Sequence, residues 1–261
     1  MVYKHTYKSI SELVNYIHTH EIQEEVYKQI GKPSSLKVGG GFSGTYTYDE
    51  AEELLLHGWE EGTKKIKDKL AEVKVSNYKN KTKNVYSPVG YQCSVPRYLQ
   101  GMPDSMVNKV NVQKKNKVIT INKSFSYSCA VSENRILDES VKVLCLINKL
   151  ESEGYRVKLN VMAVSKVPFE EEYNVIKICI KQSSQRLNLK QIVFPLVHPA
   201  MLRRIMFALL ERYEECAKYK RFYDGYGTAI NDKQYCEKGE YFIPATIEEA
   251  EINDIEKYKI N

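Results

Sequence analysis

The sequence predicts an α/β protein: a parallel or mixed sheet with helices on both faces, preceded by a helical N-terminal region. Three adjoining stretches predict it. Val118-Ile119-Thr120-Ile121 is an apolar run of strand length. The segment from Ile136 to Glu151 is amphipathic at helical spacing and stops at Gly154. Tyr155-Arg156-Val157-Lys158-Leu159-Asn160-Val161 then alternates with a period of two. Strand, helix and strand in that order form the crossover that joins parallel strands. A chain of 261 residues has ample material for a buried core, in one large domain or two small ones.

The other elements follow in order. Residues 1–75 form the helical N-terminal region. Ser9 is placed to cap a helix with Ile10, Leu13, Val14 and Ile17 on its apolar face, and a second helical pattern runs from Glu21 until Gly31 and Pro33 break it. Thr47 and Glu50 have capping-box spacing, which starts a helix carrying Ala51, Leu54, Leu55 and Trp59 and reaching Val73, weakened at Gly58 and Gly62. Residues 76–117 read as an irregular connector, with a turn at Ser87-Pro88-Val89-Gly90 and a Pro-containing loop from Ser94 to Met106.

The α/β core takes residues 118–220. Beyond the central unit it holds a strand at Val175–Ile180 and a further strand or strand end at Gln191–Leu196. Pro199 then opens a helix that runs to Tyr219 and buries Leu202, Ile205, Met206, Leu209 and Leu210. Residues 221–261 form a C-terminal extension with a short apolar Thr228-Ala229-Ile230 and a capping box at Thr246-Ile247-Glu248-Glu249.

Composition excludes several classes. No stretch approaches a membrane span, and no apolar region follows the N-terminal residues as a signal peptide requires. Six scattered cysteines with no C-x-x-C pair point to a reduced chain, with Cys145 and Cys179 acting as small hydrophobes. The net charge of +6 is local: Lys64 to Lys83 holds eight lysines against Asp68 and Glu72, and a second cluster comprises Lys109, Lys114, Lys115, Lys117 and Lys123. The surfaces 64–83 and 109–123 read either as solvated faces or as phosphate-tracking surfaces, with Lys64, Lys65, Lys67, Lys114, Lys115 and Lys117 as contacts.

Familiar catalytic sets are missing. The run Gly39-Gly40-Gly41-Phe42-Ser43-Gly44 precedes a helix but lacks the spacing of a phosphate loop, and Asp49, Glu50, Glu52 and Glu53 occupy the turns where an anion would sit. A turn needing positive φ is the better account. Five histidines offer no H-E-x-x-H, and no G-x-S-x-G elbow is present. His198, before Pro199, reads as a helix-entry residue; pairing with Cys129 as nucleophile and base is the alternative.

The turn Asn122-Lys123-Ser124-Phe125-Ser126-Tyr127-Ser128 closes the first core strand. Strand, N-x-S-x-S turn, helix and strand together resemble the von Willebrand factor A-type domain, whose first strand ends in D-x-S-x-S. The resemblance covers Val118 to Tyr219 and implies a Rossmann-like three-layer sheet. It also implies a magnesium site at Asn122, Ser124 and Ser126 that would bind an acidic ligand. Asn122 brings no charge to offset a hard divalent cation and Lys123 would repel one, so no cofactor is expected and Mg²⁺ is the open alternative. The other account is that Asn122 and the serines satisfy a loop at the carboxyl end of the sheet, an end where open α/β sheets bind ligands.

Phe42-Ser43-Gly44, His57-Gly58-Trp59, Val95-Pro96-Arg97 and Gly101-Met102-Pro103 together resemble the texture of uncharacterised bacteriophage and mobile-element proteins. The expectation is a non-enzymatic binding or assembly protein of such an element, in the host cytoplasm or the virion. It would hold a protein partner on Asn122, Ser124, Ser126 and Ser128 and on the loop containing Arg97. Nucleic-acid binding through the lysines is the second reading and a metal-dependent hydrolase the third.

Overall fold

A computed structural model describes residues 1–39, 41, 43–72, 82–111, 117–127, 131–230, 233–245 and 255–260. The chain opens with a strand that the sequence reading did not place. Val2–Tyr7 forms β1, in which exposed and half-buried positions alternate until Tyr7 is buried. Helix α1 (Ile10–Thr19) is capped as expected, Ser9 Oγ accepting from the Glu12 amide at 3.1 Å, and buries Leu13, Val14 and Ile17. Helix α2 (Glu24–Ile30) ends at Gly31. Helix α3 (Tyr48–His57) starts at Thr47, whose Oγ1 accepts from the Glu50 amide at 3.2 Å, while Glu50 Oε2 accepts from the Tyr46 amide at 2.6 Å.

The single helix expected to reach Val73 is two. Gly58 ends α3 at φ +95°, where a Cβ would also lie 2.5 Å from Lys190 Cγ. Helix α4 (Glu60–Glu72) sets off anew and buries Ile66.

Residues 82–111 correct the irregular connector. Strands β2 (Thr82–Ser87), β3 (Gln92–Cys93) and β4 (Met106–Asn111) form an antiparallel sheet in the order β2-β4-β3, with the short helix α5 (Val95–Leu99) between β3 and β4. Pro88, Gly90, Pro96, Gly101 and Pro103 hide this order, because turn residues outnumber the short runs between them.

The predicted βαβ unit is the centre of the main sheet. Strand β5 (Val118–Ser124), helix α6 (Glu133–Ser152) and strand β6 (Arg156–Lys166) follow in turn, with β5 and β6 parallel from Val118↔Arg156 to Ser124↔Met162. Strand β7 (Tyr173–Lys181) is antiparallel to β6, so the sheet is mixed. β1 adds to β7 in parallel, from Val2↔Tyr173 to Tyr7↔Ile178.

The run Gln191–Leu196 is a helix, α7 (Leu189–Val197), capped by the Asn188 side chain and containing Pro195. A short apolar run fits a buried helix as well as a strand, which is why the pattern misled. The long helix expected after Pro199 is broken into a π-helical stretch (Met201–Met206), α8 (Phe207–Leu210) and, after a turn, α9 (Glu214–Ala217).

The C-terminal extension returns to the sheet. β8 (Thr228–Ile230) pairs antiparallel with Val164–Lys166 of β6, in the lane that β5 vacates at Ser124. β9 (Tyr241–Ile243) pairs parallel with β5, completing the order β1-β7-β6-β5-β9. The capping box at Thr246 lies outside the described residues.

Flanked by helices, the sheet is compatible with a Rossmann-like three-layer arrangement and is buried on both faces. Leu13, Leu55, Ile66 and Phe194 pack in one cluster with Val157, Leu159, Val161 and Ile178. Met162 and Val164, on the opposite face of β6, pack with Val175, Tyr235 and Phe242. The N-terminal region is therefore docked on the core through both a strand and its helices. No single helix among the described residues is long and apolar enough to cross a membrane.

Candidate functional site

The strand-end turn is assembled as the sequence places it, but it faces inward. Asn122 is fully buried on β5: its Oδ1 accepts from Asn160 Nδ2 at 2.8 Å and its Nδ2 donates to Glu240 Oε2 at 2.7 Å. Lys177 Nζ donates to the same Glu240 oxygen at 2.9 Å. Burial pushes the Glu240 carboxyl up, but the hydrogen bonds from Lys177, the Glu237 amide and Asn122 hold it below the usual carboxylate range.

Lys123 is buried too. Its ammonium donates to the carbonyls of Pro244 at 2.6 Å and Ala245 at 2.7 Å, and burial lowers it to about 7 against the opposing charge of Glu139.

The serines continue the ladder where β5 stops. Ser124 Oγ accepts from the Ser126 amide at 3.3 Å. Ser126 Oγ accepts from the Val164 amide at 3.2 Å and donates to the Val164 carbonyl at 3.5 Å, so a side chain holds β6 just beyond the point where the β5 backbone stops pairing with it. Polar atoms spent in this way cannot receive a partner, which corrects the expectation that Asn122, Ser124 and Ser126 form an exposed binding surface. They are equally ill suited to Mg²⁺, which wants several free oxygen ligands. The Asn122 oxygen is engaged, a buried ammonium lies on the next residue, and no group of three or more His, Cys, Asp or Glu among the described residues could hold a metal ion. Ser128 and Cys129 lie outside the described residues.

His198 is where the sequence puts it, as a connection between helices. Its Nδ1 accepts from the Ala200 amide at 3.1 Å, and its ring stacks on Phe194 and meets Trp59 edge-on at 4.6 Å. Burial holds the imidazole down at about 4, so it stays neutral at ordinary pH.

The glycine run forms a turn held from below. Gly39 and Gly44 have positive φ, and the Arg204 guanidinium donates to the carbonyls of Ser34, Lys37, Gly39, Thr45 and Tyr46 at 2.7–3.1 Å. Nothing in the sequence pattern singled out Arg204, because its acceptors are backbone oxygens far along the chain. Gly40 and Phe42 lie outside the described residues.

Arg97 sits on an expected surface that does face solvent. Its Nε donates to the Asp104 carbonyl and its Nη2 to Asp104 Oδ2, both at 3.1 Å, and its guanidinium stacks 4.2 Å from the Tyr86 ring centre. Strand register puts Asn84 and Tyr86 on one face with Val107 and Lys109. Tyr91 lies over that face, its hydroxyl donating to Asn84 Oδ1 at 3.3 Å and its ring 5.2 Å from Lys109 Nζ.

None of residues 83–109 is buried. Tyr86, Val89, Tyr91, Val95, Tyr98, Leu99 and Met102 are between 41% and 78% exposed, Leu99 the most. The tyrosines were legible in principle, since Tyr86, Tyr91 and Tyr98 interleave with Lys83, Arg97 and Lys109.

The expected lysines divide. Lys64, Lys67 and Lys117 are exposed; Lys65 pairs with Glu61 at 2.8 Å; Lys114 and Lys115 lie outside the described residues. Lys69 of the same helix pairs with Asp138 at 2.5 Å.

A family model described as "Domain of unknown function (DUF7192)" matches residues 1–259. No curated protein and no solved structure matches the chain.

Proposed function

The chain belongs to the DUF7192 family, and on that premise we propose that it is a non-enzymatic binding or assembly protein that holds a protein partner on its small sheet. One observation carries this reading: residues 83–109 form three strands and a helix without burying a single side chain. Two- and three-stranded sheets gain stability from a packed apolar face. Here the large apolar side chains are present, most of them exposed and the rest only half-buried. Val95, Tyr98 and Leu99 share one face of α5 at i, i+3 and i+4 and are 60%, 67% and 78% exposed. Arg97 and Tyr86, of residue types that dominate interface energetics, are already fixed against each other and against Asp104, which lowers the entropy lost on docking. The phage-like and mobile-element-like texture of the sequence supports placing that role in such an element.

The test compares the wild-type chain with Val95→Asp/Leu99→Asp as immobilised baits in extract from the source cell. Both side chains are exposed, so the double variant should keep its unfolding free energy within about 0.5 kcal/mol per substitution of the wild type. A protein held by the wild type and lost from the variant supports the reading. Identical capture by both refutes it.

A second reading is favoured by charge. Residues 74–117 contain nine lysines and arginines against Asp104 alone, a surplus of eight that exceeds the net +6 of the whole chain. Cations beside exposed tyrosines also suit single-stranded nucleic acid, whose bases stack on aromatic rings while lysines track the backbone. This reading expects oligonucleotide affinity that falls steeply with salt and drops in Arg97→Ala/Lys109→Ala. Salt-insensitive or absent binding sinks it.

A further inference from the structure

Behind the strand-end turn lies a cavity of about 140 Å³. It opens at the carboxyl ends of β5 and β6, between Ala163 and Ile176 of the sheet and Met206 and Phe207 of the helices that cross it. Its walls are mostly apolar, and three features show that it is built rather than left over.

The first is the π-helical stretch Met201–Met206, which supplies part of the roof. Wide turns of this kind are rare and cluster at functional sites. The second is the side wall. Tyr226 at φ +56° and Gly227 at φ +78° are consecutive left-handed residues, and a Cβ on Gly227 would lie 2.7 Å from the Lys166 carbonyl. An aromatic residue rarely holds such a φ unless its surroundings impose it. Here they do, because the Tyr226 ring stacks on Phe207 at 3.9 Å and its hydroxyl donates to Glu211 Oε1 at 2.6 Å. The third is Tyr127, on the lining and 7% exposed, whose hydroxyl is buried with no hydrogen-bond partner among the described residues. Burial and the charge of Glu139 keep that phenol protonated, so it is a donor with no acceptor among the described residues.

We propose that this cavity binds a compact, neutral, largely apolar molecule of about benzene's size that carries one hydrogen-bond acceptor for the Tyr127 hydroxyl. The size follows from the volume, since an apolar cavity of about 150 Å³ takes up benzene. Neutrality follows from the apolar walls, and the negative charge of Glu139, which also raises the Tyr127 phenol, disfavours an anion there. Arg203, the one charged side chain on the lining, makes an anion the competitor to be tested.

The experiment titrates the full chain, methyl-labelled at alanine and methionine, with benzyl alcohol, toluene and benzoate while the Ala163, Ala229 and Met206 methyl resonances are followed. Benzyl alcohol should shift them saturably and bind about tenfold tighter than toluene, the worth of one hydrogen bond. Tyr127→Phe, which removes a single oxygen, should erase that difference, and Ala163→Leu should fill the cavity and abolish both. If Ala163→Leu does not fold, the Tyr127→Phe arm still decides. Absent shifts, equal binding of alcohol and toluene, or preferred binding of benzoate would each overturn the proposal.

Discussion

Asn160 and Asn122 meet across β6 and β5, and the 2.8 Å hydrogen bond between them fixes which end of the Asn122 amide faces the sheet. The NH₂ end is thereby turned to Glu240, at 2.7 Å. This accounts for an asparagine at position 122: a carboxylate there would confront another carboxylate.

Asn122→Asp should therefore destabilise the chain by about 3 kcal/mol at pH 7, the scale of an uncompensated buried charge. Asn122→Asp/Glu240→Gln should recover more than half of that loss. Urea unfolding of the three proteins measures both. Restoration of the single variant by millimolar Mg²⁺ instead would show that the turn can become a metal site.

His198 gives the fold an acid-sensitive window. Its folded value, about 4, lies below the ordinary 6.5, so between these the unfolded chain takes up a proton that the folded chain refuses. Stability is unaffected by this group above pH 6.5 and falls progressively from 6.5 to 4, by on the order of 3 kcal/mol in all. His198→Gln should flatten that part of the profile. Trp59, the only tryptophan and in edge contact with the imidazole, reports the transition by fluorescence. Parallel profiles for variant and wild type would refute the assignment.

Arg204 is the anchor of residues 34–46. Arg204→Lys keeps the charge but cannot present a planar fork to five carbonyls. A loss of about 2–4 kcal/mol is expected from the acceptors left unpaired. Faster amide exchange confined to residues 34–46 would place the effect there. Unchanged exchange would mean that the turn holds itself.

What the sequence made legible was local. Ser9, Thr47 and Gly154 mark helix boundaries through chemistry within a few residues of each, and the βαβ unit announces itself by period. The misreadings are long-range. β1 is short and half polar, so only its pairing with β7 makes it a strand. Gln191–Leu196 carries an apolar run that burial on all sides can satisfy as a helix. The strand-end serines were correctly placed at the carboxyl edge of the sheet. The partners that hold the neighbouring Asn122 and Lys123 inside, Glu240, Pro244 and Ala245, lie more than a hundred residues downstream, and no spacing rule reaches that far.

The pairing of Val2 with Tyr173 also sets a clock. A ribosome adding roughly 5–20 residues per second needs about 9–34 s to travel between them. During that interval the first strand has left the exit tunnel with no neighbour, and its unpaired edge is open to any extended chain nearby. Such distant partnerships slow folding. Nascent chains arrested before Tyr173 should therefore be the species that chaperones engage, and release should coincide with synthesis of the seventh strand.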